Sequence, residues 1–171
     1  MLKKNVGASG VVIDLPNVAD RARQALQANE LRGRAEAIGG DFFIDVPEGD
    51  VYLLKQILHD WNDDQCRTIL ANCARRLVGG GRIYIIEMVI PDDNSPSFAS
   101  LMDLYMMVML PGRERALQEY QLLLDTSGLK FERVLPTHSP SHARANVHGR
   151  LRTPANWWAR SDSNRGPRDS L

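Results

Sequence analysis

The sequence predicts an α/β domain built on a largely parallel sheet. Three observations carry that expectation. Short β-branched runs alternate with amphipathic stretches over most of the length. Several of those runs end in a charged residue followed by a chain breaker. The apolar runs are also near-continuous, as in strands buried on both faces.

Gly10–Leu15 (GVVIDL) is the first such strand, broken by Pro16 and Asn17. NVADRARQALQANE follows, with apolar residues at 18, 22, 25 and 26 on one helical face. Arg34–Ile38 reads as a weaker strand ending in Gly39-Gly40-Asp41, and Asp50–Leu54 begins a third. DDQCRTILANCARRL has Ile69, Leu70, Cys73 and Leu77 in helical step. Asp63 is its expected N-cap and Gly79-Gly80-Gly81 its expected stop. Arg82–Met88 is a strongly β-branched strand. A Met-rich helix over Phe98–Leu110, a helix over Leu117–Thr126 and a strand over Leu129–Leu135 complete the pattern.

Composition excludes several classes. The 171 residues suffice for one domain, and 21 basic residues balance 21 acidic ones, so total charge argues neither for nucleic acid nor for an anionic membrane. No apolar run approaches the roughly 18 residues of a membrane span. Cys66 and Cys73 form neither a metal-ligand spacing nor a disulfide framework, so reduced thiols in a cytoplasmic protein are expected. The region from Ser141 differs from the rest, with six Arg against two Asp.

In open parallel sheets, ligands gather at the carboxyl ends of strands. There the sequence places Asp14, then Asp41-Phe42, then Lys55 through His59, then Glu87. Asp14 can accept from a ribose diol, or simply form a turn before Pro16. Asp41, in GGDFF, can accept from a purine amine beside Phe42, or cap a Gly-Gly turn. His59 alone reads equally as a satisfied structural histidine. Glu87 is harder to set aside: a carboxylate within IYIIEMVI requires a partner, and a His or Arg at a neighbouring strand end is the natural one. No G-x-G-x-x-G or P-loop pattern occurs, which disfavours a nicotinamide-dependent oxidoreductase.

Taken in order and spacing, GVVIDLP, GGDFF, YLLKQILHDWNDDQCRTIL, GRIYIIEMVIP and PGRERALQEYQLLLDTSGLKFERVLPT resemble the carboxyl-terminal catalytic half of the S-adenosylmethionine-dependent small-molecule O-methyltransferases, the plant caffeate and bacterial polyketide type. The resemblance covers about residues 1–140. It implies a partial Rossmann-like class I methyltransferase sheet that uses S-adenosyl-L-methionine to methylate a hydroxyl of a small, aromatic metabolite, without a metal. By the same resemblance Asp14 binds the cofactor ribose, Asp41 and Phe42 the adenine, and Lys55 lies beside the methionine part. His59 is the general base, Glu87 and Glu114 orient it, and Met106 lines the acceptor pocket. Trp61 packs next to the His, and Asp60 is structural. The family is homodimeric.

Three departures qualify the resemblance. The family's first strand, its glycine-rich cofactor loop and its helical dimerisation domain would all precede residue 1. Pro111-Gly112 stands where the family has Gly-Gly. Beyond Ser141 the match stops, so the last strand is expected to be missing and residues 141–171 to be a basic, disordered or out-of-frame tail. In a sheet ordered three-two-one-four-five-seven-six, those losses leave interior strand edges unpaired. A poor catalyst and a marginally stable chain are then expected, and a binding-only remnant of such an enzyme is the alternative function.

Overall fold

The computed structural model describes residues 2–27, 31, 33–93, 95–109, 111–136 and 144–151, the side chains of 109, 136 and 144–151 excepted. The chain divides into two compact units, Met1–Glu48 and Gly49–Leu171.

The first unit is one β-α-β element. Strand β1 (Gly10–Asp14) pairs in parallel with β2 (Ala35–Gly39), with Asp14 opposite Gly39. Helix α1 (Pro16–Gln27) connects them. Pro16 occupies its first position, where a missing N–H removes no helical bond. Residues 28–30 of the expected longer helix lie outside the described residues. Arg34 Nη1 donates to the carbonyls of Leu2, Asn5 and Ala8 at 3.1–3.2 Å, which ties the leading segment down.

The second unit begins with β3 (Gly49–Lys55), a one-turn 3-10 helix (Leu58–Asp60) and α2 (Asp63–Arg76). It continues through β4 (Leu77–Ile90), α3 (Phe98–Met109), the two-residue β5 (Arg115–Ala116), α4 (Leu117–Thr126), β6 (Leu129–Pro136) and β7 (Arg144–Leu151). The sheet order is β3-β4-β7-β6, with β5 added beside β4. Strands β3 and β4 are parallel, and β7 lies antiparallel between β4 and β6. On β4, Ile83, Ile85 and Glu87 are all fully buried, one face read at every second residue. Ile69, Leu70, Leu123, Leu124 and Leu129 are among the other side chains of this core.

Three expectations are corrected. The N-cap of α2 is Asn62, whose side chain accepts from Gln65 N while Gln65 returns the bond, and Asp63 is thereby released for other contacts. Helix α2 ends at Arg76 with Leu77 as its C-cap, so the glycines 79–81 fall within the strand run Leu77–Ile90. The last strand is present: residues 144–151 fill the position between β4 and β6, because both neighbours there offer unpaired backbone groups that only a strand satisfies. Of the tail expected to be disordered, residues 141–143 and 152–171 lie outside the described residues, as does Leu110.

Apolar side chains remain open to water on both units. Val11 and Val12 of β1 are each 47% exposed, and in β3 Val51 and Leu53 are 44% and 46% exposed. Helix α3 exposes Leu101, Leu104, Met107 and Val108. Runs of this kind favour association. The purified chain is therefore expected to bind a hydrophobic dye and to elute at an apparent mass that rises with concentration. A concentration-independent monomer with a single cooperative melt would contradict this.

Candidate active site

The site is built around Glu87. Its Oε1 accepts the backbone N–H groups of Ile57 and Leu58 at 2.8 and 2.9 Å. Those two donors lie just past β3, and the chain reaches them through Gln56, a non-glycine residue at φ 53°. Such a left-handed conformation costs roughly 1–2 kcal/mol and persists only where surrounding bonds impose it. Here Gln56 N also donates to Ile86 O at 3.0 Å. The turn that results carries His59.

His59 Nδ1 sits 3.0 Å from Glu114 Oε1 and 3.9 Å from Glu87 Oε2. Its Nε2 lies 3.3 Å from Asp60 Oδ1. The electrostatic partner that Glu87 requires is thus the His at the neighbouring strand end. Glu114 reaches the cluster because β5 pairs with β4, Val89 opposite Arg115, directly after it. Its backbone N–H is also fixed by Asp103 Oδ1 of α3 at 2.9 Å.

Two residues outside the sequence-based assignment hold this geometry. Arg115 is fully buried, a rare state for a guanidinium. Its Nη1 donates to Leu58 O, its Nη2 to Trp61 O, and its Nε and Nη2 both to Asp63 Oδ1, at 2.8–3.0 Å. One side chain therefore clamps both ends of the His59 turn. Gly112 lets the Glu114 loop lie flat on that turn: a Cβ there would stand 1.9 Å from His59 O and 2.4 Å from the Asp60 carbonyl carbon. The Pro-Gly pair marked the second of these in the sequence. Nothing local marked Arg115, whose partners outside its own loop are 52 to 57 positions away.

The electrostatics follow from burial. The hydrogen bond that His59 donates to Glu114 raises the His59 pKa above its ordinary 6.5 against the lowering effect of burial, assisted by Glu87 and Asp60. Burial pushes the Glu87 carboxyl up to about 7. Burial would raise Asp63 as well, but Arg115 and Arg113 outweigh it and hold that carboxyl below its ordinary value. Cys66 and Cys73 are free and buried, and burial pushes their thiols up to about 11 and 12, so they are inert.

The remaining assigned residues fall as follows. Asp14 closes β1, and its Oδ1 accepts from Leu15 N at 2.8 Å. Asp41 follows β2, and its Oδ1 accepts from Phe43 N at 2.8 Å, with Phe42 between them. A Cβ on Gly39 would come within 2.9 Å of Pro16 Cα, so the ends of β2 and β1 meet closely at that helix start. These three belong to the first unit, whereas Lys55, His59, Glu87, Met106 and Glu114 belong to the second. Lys55 is exposed at the end of β3, and Met106 is only 4% exposed within α3.

Comparison with known proteins gives one consistent picture. The pattern of the O-methyltransferase domain family matches residues 3–130. Phenazine O-methyltransferase PhzM of Lysobacter antibioticus is 41% identical over 140 residues, which cover 81% of this chain and 41% of that protein. Mitomycin biosynthesis 6-O-methyltransferase of Streptomyces lavendulae is 40% identical over 132 residues, covering 76% and 37%. Among solved structures, LaPhzM matches with a TM-score of 0.82 at 39% identity, over 88% of this chain and 45% of that one. NcsB1 from neocarzinostatin biosynthesis, solved with S-adenosylmethionine and 2-hydroxy-5-methyl naphthoic acid, matches at 0.75 and 32%, over 86% and 43%. The chain thus spans about two fifths of the length of the curated relatives it matches.

Two outcomes follow from the geometry. Glu87→Ala strands two buried N–H groups, and chemical denaturation should show a loss of about 2–5 kcal/mol, whereas Glu87→Gln keeps the acceptor and should lose less than about half of that. Gly112→Ala cannot be absorbed without moving the Glu114 loop, so the His59 imidazole pKa read by NMR should fall toward 6.5 as the 3.0 Å contact opens. An unchanged His59 titration in that variant would contradict the role given to Gly112.

Proposed function

The chain belongs to the O-methyltransferase domain family, and we propose that its chemistry is transfer of a methyl group from S-adenosyl-L-methionine to a hydroxyl of a small aromatic metabolite, with His59 as general base. The observation that carries this reading is the 3.0 Å contact between His59 Nδ1 and the buried Glu114 carboxylate. A carboxylate at Nδ1 holds the proton on that nitrogen and leaves the Nε2 lone pair for the acceptor.

The need for a base is quantitative. A phenol with pKa near 10 costs about 4 kcal/mol to ionise at neutral pH, at ~1.36 kcal/mol per unit. Nε2 takes the hydroxyl proton as the acceptor oxygen becomes nucleophilic, and Glu114 and Glu87 stabilise the imidazolium that forms. Asp60 Oδ1 now lies at Nε2, so an acceptor hydroxyl takes up the place that this carboxylate holds. The buried turn excludes water from the Nδ1 side, which strengthens both contacts.

The residues of the first unit suit the cofactor chemically. Asp14 and Asp41 are carboxylate acceptors at the carboxyl ends of adjacent parallel strands, each oriented by one backbone N–H. Such acceptors match ribose hydroxyls and an adenine amine, and Phe42 offers an apolar ring beside Asp41. In this reading Lys55 lies beside the methionine part, and Met106 lines the acceptor side. S-adenosyl-L-methionine, when bound, supplies the electrophilic methyl on its sulfonium sulfur. Relatives named for phenazine, mitomycin and naphthoate methylation support a fused aromatic acceptor.

Release of S-adenosylhomocysteine across a panel of hydroxylated phenazines and naphthoates is the direct assay. His59→Ala should lower the rate by about 10²–10⁴-fold. Because only neutral His59 accepts a proton and its pKa lies above 6.5, the wild-type rate should climb with pH through a value above 6.5. Glu114→Gln removes the largest cause of that elevation, so its limb should shift to lower pH while its plateau falls. The same elevation adds stability that is complete below pH 6.5 and lost as pH rises through the folded value. Binding of S-adenosyl-L-methionine without turnover on any acceptor would favour the binding-only remnant.

A further inference from the structure

Glu87 Oε2 and Glu114 Oε2 are buried and have no hydrogen-bond partner, a costly state for two like-charged groups so close together. His59, Glu87 and Glu114 each offer one ligand atom, and those atoms lie within 4.8 Å of one another. A tetrahedral zinc with bonds of about 2.0–2.2 Å requires ligand atoms separated by about 3.3–3.6 Å. The separations from His59 Nδ1, 3.0 Å to Glu114 Oε1 and 3.9 Å to Glu87 Oε2, bracket that value. We propose that His59 Nδ1, Glu87 and Glu114 form a site for a divalent transition-metal ion of the zinc class.

The donor set and the charge both fit. One imidazole nitrogen and two carboxylate oxygens leave one position open, as in three-ligand zinc sites. The ion's double positive charge balances two carboxylates that otherwise share one imidazole. Glu87 ligates through Oε2 and keeps both backbone N–H bonds at Oε1, so the His59 turn stays in place. Magnesium, which holds a full octahedron of oxygens and retains several waters, does not suit a site this buried. Entry is from the His59 side, whose side chain is 12% exposed.

Metal binding forms an Nδ1–metal bond, and a neutral imidazole then carries its one proton on Nε2. From the Nδ1–H tautomer that proton relocates to Nε2; from the imidazolium one proton is released to solvent. On the reading of His59 as base, the ion therefore blocks proton acceptance at the nitrogen that needs a free lone pair. Zinc becomes an inhibitor of the enzyme and not its cofactor.

The test is calorimetric titration of this chain with zinc sulfate, paired with long-range ¹H–¹⁵N spectra of its histidines. One equivalent should bind, the His59 spectrum should change to the Nε2–H form with Nδ1 metallated, and magnesium should produce neither effect. His59→Asn, Glu87→Gln and Glu114→Gln should each weaken zinc by at least about tenfold. Absence of zinc binding, or a metallated signal on another histidine with His59 unchanged, overturns the proposal. If a variant fails to fold, the wild-type spectrum still reports which nitrogen holds the ion. The readout is binding, so failure of methyl transfer and failure of the metal site are seen separately.

Discussion

The buried carboxylate of Glu87 is the constraint on which the site depends. It continues the face of β4 that Ile83 and Ile85 bury, so its position follows from strand alternation alone. An anion there is sustained only by donors brought to it. Ile57 and Leu58 supply two N–H groups, and that demand bends the chain through Gln56 into the turn bearing His59. The histidine is where it is because the acid must be satisfied.

A second layer fixes the orientation. The Arg115 guanidinium binds two carbonyls of the His59 turn and the carboxylate that starts α2. A buried charge tied to that many acceptors is costly to disturb, and truncating one partner of such a pair typically costs about 3–5 kcal/mol. Its own strand, β5, is only two residues long, yet its pairing with β4 is what delivers Glu114 to His59. Gly112 permits the close approach that such a short strand needs. The site is rigid because its supports are backbone and one guanidinium, with few rotatable groups between them.

The arrangement is poor for stability and good for chemistry. Two carboxylates with unpartnered oxygens and a shifted histidine lie inside one apolar layer. Hydrocarbon of the same volume would stabilise that layer better. Perturbed titratable groups held this way concentrate at functional sites. The buried charges that cost the fold also set the protonation of His59.

By itself, the sequence determined the strands β1–β4 and β6 and the helices between them, because each carries its own period and most their own breaker. It also determined that Glu87 needs a partner, since an acid inside IYIIEMVI cannot be solvated in place. The spacing of five motifs located His59 and Glu114 as members of one resemblance. It did not reveal β7, whose Arg-rich stretch has no apolar alternation and becomes a strand only because β4 and β6 leave backbone groups to pair. Nor did it reveal Arg115, which looks like any surface arginine until the fold closes around it. Tertiary structure decided these because the β4 partners of β7 and the main partners of Arg115 lie more than fifty residues away, where no local period reaches.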